Sequence, residues 1–191
     1  MAYVSPRTWV TGEIVTAAMM NQDVRDNIGH LGGMKRNATL FSALAGSSEI
    51  LGNWGAKAYS NANISIPDIT WTNLTFNVET WDSGTIHDTG SNTQNFTAPV
   101  AGKYLVVASV YWVGNATGIR QIRVTKGGTQ QGEAGGTVGN NQAHSQRYTD
   151  IVSCAASDVL VFQVYQNTGG NLDVTQVTTY GISAAIQWIG V

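Results

Sequence analysis

One cysteine, three prolines, three histidines and a charged fraction of only 12% set the limits of this 191-residue chain. A lone Cys154 excludes an intrachain disulfide framework, so stability has to come from packing or association. Charged residues run at about half their usual share. A formal net charge of −2, with no basic stripe, leaves no electrostatic footprint for nucleic acid. No apolar run approaches the ~20 residues of a membrane-spanning helix, so no membrane insertion is expected. The N-terminus lacks a basic segment followed by an apolar one, so no secretory leader is expected. The reading is of a protein made in a cytosol that stays soluble or joins an assembly. There is no G-x-S-x-G, H-E-x-x-H or P-loop pattern, and no repeat with a period of about 20–50 residues.

What is present is a hydrophobic content of 42% and 22 glycines, with abundant Asn, Thr, Ser and Gln. This is an uncharged, polar, β-rich composition. Its centre is NFTAPVAGKYLVVASVYW, Asn95 to Trp112. Pro99 and Gly102 punctuate a turn, Pro by fixing φ and Gly by tolerating positive φ. A long strand follows. Tyr104, Val106, Ala108, Val110 and Trp112 share one face, and Leu105, Val107 and Tyr111 the other. Alternating polarity would mean one wet face, whereas apolar residues on both parities mean that both are covered. In a sandwich one face enters the core, so the second must meet something else, most simply another subunit.

The chain divides into a segment 1–33, a connector 34–63 and a β domain 64–191. The first fifteen residues read as extended, since Ser5-Pro6 disfavours helix. Thr16 caps a short helix that Gly32-Gly33 stops. Met20, Val24, Ile28 and Leu31 fall on one face of it, and so short a helix must dock on something. The connector is turn-rich. In the β domain the expected strands are Ile64–Ile66, Leu74–Val78, the central strand, and segments around Ile122, in QRYTDIVSC, at Val159–Gln166 and from Ile182 onward. Trp81 to Gln94 reads as a long exposed excursion. Gly127 to His144 reads as a flexible loop with a short edge strand at most. Eight to ten short strands separated by turn signals make a sandwich or jelly-roll count.

Two regions resemble known families. Phe96-Thr97-Ala98-Pro99 with Gly102-Lys103-Tyr104, then Asp158 to Val164, then Ser183 to Trp188, resemble the C1q/tumour-necrosis-factor-like jelly roll. The resemblance implies an all-β jelly-roll sandwich and a homotrimer, with Leu105, Val107, Tyr111, Val161 and Tyr165 packed between copies. The chain departs from the family in ending Trp188-Ile189-Gly190-Val191 rather than in an aromatic-rich strand. Residues Thr8 to Leu31 are similar to the start of many tailed-bacteriophage structural proteins. Trp9, Gly12, Glu13, Val15, Thr16, Ala17, Met20, Asn21, Val24, Arg25, Asp26 and Asn27 fit that pattern. This implies a virion protein with a short helical and extended attachment arm in which Trp9, Met20, Val24, Ile28 and Leu31 contact other virion proteins of tail or capsid. The expected function is a fibre, knob or spike that displays loops to the host surface. The alternative is a capsid decoration or head-fibre protein that stabilises the shell.

Asp82, His87 and Asp88 form the best polar cluster. Calcium takes six to eight oxygens, histidine serves it poorly, and no D-x-D-x-D-G run occurs, so neither metal nor cofactor is expected. Glu79, Asp82 and Asp88 could pair as glycosidase carboxylates, but sequence proximity alone supports that and no enzyme is expected. Cys154 reads as a small core residue, and His30 and His144 as isolated. Binding suits the loops better. Trp81, Asp82, His87 and Asn92 in the first long loop and Asn141 in the second fit a polar ligand such as a surface glycan, aromatic faces stacking on sugar rings while amides bond hydroxyls.

Overall fold

The computed structural model describes residues 54–177 and 181–190. The segment 1–33, the residues Trp9, Met20, Val24, Ile28 and Leu31, and most of the connector lie outside the described residues. Those described contain twelve strands: β1 (Gly55–Tyr59), β2 (Ile64–Ile66), β3 (Thr72–Asn73), β4 (Val78–Asp82), β5 (Asn95–Thr97), β6 (Gly102–Trp112), β7 (Ile119–Lys126), β8 (Thr129–Thr137), β9 (His144–Cys154), β10 (Val159–Gln166), β11 (Leu172–Val174) and β12 (Ile182–Gly190). One sheet runs β2-β11-β6-β12-β1-β4, with β9 on the other side of β6. The second runs β3-β10-β7-β8, with β5 also on β10. Every pairing is antiparallel.

The core lies between the sheets. From the first sheet come Tyr104, Val106, Ala108, Val110 and Trp112 of β6, Ile182, Ala184 and Ile186 of β12, and Ala56 and Ala58 of β1. From the second come Leu160, Phe162 and Val164 of β10 and Ile122 and Val124 of β7. Phe76, Phe96 and Phe162 meet edge to face, with centroids 5.6, 6.4 and 5.7 Å apart. Each such side chain contributes roughly 1.5–3 kcal/mol by leaving water. The small Ala56, Ala58 and Ala184 let the large residues opposite fit without overlap.

Several expectations need correction. The β domain begins before Ile64, because β1 falls within the stretch read as connector. Leu74 to Val78 is not one strand. Leu74 and Phe76 are buried in alternation, but here the chain crosses between sheets, from β3 on β10 to β4 on β1. Leu74 N–H donates to the Phe162 carbonyl of β10 (2.9 Å) and Phe76 N–H to the Thr93 carbonyl (2.9 Å), so the two do not share one partner strand. Asn95 to Trp112 likewise serves both sheets: β5 joins β10, and β6 joins β12 and β9. Pro99 to Ala101 makes the crossing. Half of Gly127 to His144 is β8, a nine-residue edge strand paired along β7. Lacking apolar alternation, it gives the periodic signal nothing to detect. Strand β11 was not expected at all.

Candidate functional site

The loop after β4 is organised by one carboxylate. Asp82 Oδ1 accepts the Gly84 N–H (2.8 Å), while Oδ2 accepts those of Ile86 (2.8 Å) and His87 (2.9 Å). This turns the chain inward and buries Ile86 and His87, the latter only 6% exposed. The excursion is therefore only partly solvent-facing. The His87 ring packs 4.9 Å from Phe96 and 6.3 Å from Phe76. Its Nε2 donates to the Thr93 carbonyl at 3.0 Å, and its Nδ1 lies 3.2 Å from Glu79 Oε1. Further on, Asp88 Oδ1 accepts N–H groups from Gly90 (2.7 Å) and Ser91 (3.2 Å), and Oδ2 accepts the Ser91 hydroxyl (3.0 Å). The Gly90 N–H first, then Ser91, hold the Asp88 carboxyl below its ordinary range. Asn92 adopts φ of 49°, which asparagine tolerates through its short polar side chain.

A cleft of about 260 Å³ opens here, with Thr85, His87, Asp88, Ser91 and Asn92 among its walls. Of the residues expected to bind a ligand, His87 and Asn92 line it. Asp82 spends its oxygens on backbone N–H groups beside it. Asn141 lies in the β8–β9 loop, and its backbone packs against Gly114. Among the described residues no group of three His, Cys, Asp or Glu could hold a metal ion.

Trp81 belongs elsewhere. It stands opposite Lys57, and the row continues through Ala185 and Val107 to Thr149, across five strands of the first sheet. The next row holds Gln187, Leu105 and Ile151, and Tyr111 stands opposite Ser145. These side chains point away from the core, since their neighbours in sequence are the buried ones. Leu105, Val107 and Tyr111 are half-buried, Ile151 is 55% exposed and Trp81 41%. The outward positions of β1, β6, β9 and β12 carry Lys57, Lys103 and Arg147 and no carboxylate.

Val161 and Tyr165 have outward parity on β10, in the other sheet, so they lie across the sandwich from Leu105, Val107 and Tyr111. On the outer face of the second sheet the side chains around Trp71 pack on one another. Tyr165 packs 5.4 Å from Trp71, and the Arg123 guanidinium lies 3.8 Å from the Trp71 ring centre. Arg123 Nε donates to Gln163 Oε1 (2.8 Å), and Gln163 Nε2 to Asn73 Oδ1 (2.7 Å). The five residues expected at one interface are therefore divided between the outer faces of the two sheets, all five half-buried.

No protein-family model matches the sequence, and no curated protein does. Solved structures do match in fold. Murine APRIL at pH 5.0 superposes with a TM-score of 0.56 at 10% identity, covering 72% of this chain and 99% of that one. Eiger TNF from S. frugiperda gives 0.54 at 11% identity, covering 73% and 94%. The globular domain of the zebrafish complement 1qA protein gives 0.50 at 13%, covering 72% and 96%. The fold is a C1q/TNF-like jelly roll. In this jelly roll the sheet built on β6, β9 and β12 turns an apolar face outward. Sequence reasoning missed Arg120 as a notable residue. Its signal was available, because it shares the inward parity of Ile122 and Val124 on β7.

Proposed function

We propose that the protein is a non-enzymatic virion structural protein of a tailed phage, a homotrimeric fibre, knob or spike whose jelly roll presents loops to the host surface. The supporting observation is the outer face of the first sheet, where Leu105, Val107, Tyr111 and Ile151 form an apolar field on the side away from the core. Such a field, flanked by cations and with no carboxylate at the outward positions of β1, β6, β9 and β12, suits a particular symmetry. Two copies meeting face to face about a twofold axis would oppose Lys57, Lys103 and Arg147 to their like. A head-to-tail ring sets the face against a different surface of the next copy and avoids this. The resemblance to C1q/TNF-like jelly rolls implies three copies, and the Thr8–Leu31 pattern implies attachment to a phage particle.

Native mass spectrometry of the full chain tests the assembly: a trimer is expected, and a monomer at micromolar concentration overturns it. Virions whose copies lack residues 64–191 test the host-surface role. Loss of adsorption supports it, whereas normal adsorption assigns the protein to decoration of the shell.

A further inference from the structure

A second cleft, of about 380 Å³, lies along the border between β8 and the start of β9. Its volume falls within the range of about 300–1,000 Å³ typical of small-ligand sites. Arg120, His144 and Arg147 all line it, and no Asp or Glu does. Arg120 is 1% exposed, yet it has no carboxylate partner among the described residues. Its guanidinium donates to the carbonyls of Thr117 (2.8 Å), Ile119 (3.2 Å) and Asn115 (3.1 Å), and its Nε has no acceptor. It lies 5.8 Å from the Trp112 ring centre. Buried charges are normally paired, and carbonyl dipoles alone leave this one uncompensated. The field reaches the neighbouring imidazole: burial first, then the Arg120 charge, lowers the His144 pKa. Arg147 is exposed and has no partner among the described residues. Thr137 and Ser145 also border it, their side chains on the outer faces of the two sheets. Gly136, opposite Arg120, leaves open space on the β8 side, and among the described residues β8 makes a ladder only with β7.

We propose that this cleft binds the carboxylate of an acidic sugar, Arg147 pairing with it at the rim near the uncompensated Arg120. The assignment names a ligand class for the host-surface role and rests on that reading for its biological meaning. The binding itself is a property of the isolated protein. An anionic group on a sugar could also be a phosphate, so the test separates the two.

Titration calorimetry of the full chain with glucuronate, N-acetylneuraminate, glucose 1-phosphate and glucose is the experiment. Binding of at least one sugar carboxylate, with Kd on the order of 1 mM, and no binding of glucose is expected. Arg147→Gln should weaken it about tenfold, and raised salt should weaken it further. An unchanged thermal melt of the variant shows that the fold is intact. Equal binding of glucose, preference for the phosphate, indifference to Arg147→Gln, or no binding of either carboxylate would each overturn the proposal. A trimer that fails to bind leaves the assembly standing and removes only this ligand. A monomer that binds does the reverse.

Discussion

Leu105 of β6 stands directly opposite Ile151 of β9, on the side of the sheet away from the core, and Ile151 is left 55% exposed. An adjacent apolar pair on an outward face contributes little to the isolated domain and much to a contact between copies. Replacing both with lysine should therefore leave the circular dichroism spectrum intact while dissociating the oligomer. Two apolar side chains lost from each contact amount to about 3 kcal/mol or more, over a hundredfold in association. Sedimentation velocity measures this, and an unchanged oligomer would exclude the face as the interface.

Gly102 lies against the Trp188 indole, whose Nε1 donates to the Ala101 carbonyl at 3.2 Å. The glycine has φ of 145°, and a Cβ there would overlap the indole and crowd the Gly190 carbonyl. Gly102→Ala should cost about 2 kcal/mol or more, through strain and through displacement of the closing strand. Urea denaturation gives the number, and a loss within about 0.5 kcal/mol would show that the closing strand yields freely.

Asp88 supplies a pH dependence whose sign follows from its hydrogen bonds. Because donors from Gly90 and Ser91 depress its folded pKa, the unfolded chain binds the proton more tightly. Its contribution is present above the ordinary carboxylate range and is lost as pH falls through the depressed value. Asp88→Asn should therefore lower the melting temperature at neutral pH, with the gap to wild type closing on acidification. A gap independent of pH would point to packing instead.

Cys154 is buried, and that burial pushes its thiol pKa up. A protonated, covered thiol is a poor nucleophile. Alkylation by iodoacetamide at pH 8 should be slow in the native protein and fast in urea. Rapid native labelling would mean that the end of β9 opens readily.

Some of the fold was legible in residue order. Val159 to Gln166 reads as a strand because every second residue is apolar enough to bury, and the ladder observed has those bounds. Tyr104 to Trp112 reads as inward on one parity for the same reason. Thr129 to Thr137 does not, because its glycines and glutamines carry no period and only the neighbouring β7 makes it a strand. The site was less legible. Asp82 and His87 suggest a ligand when read as neighbours in a loop, but their donors and acceptors are claimed by the backbone of Gly84 and Thr93 and by Glu79.

Alternation by itself determined which residues of each strand turn inward, since side chains in an extended chain project to opposite sides in turn. It could not say which sheet a strand joins. Only the tertiary structure put Leu105 and Val161 on opposite sides of the sandwich, and only there did Arg120, Arg147 and His144 come to share one cleft. Pairing partners far apart in sequence decide both, because hydrogen bonds between strands carry no mark in the local order of residues.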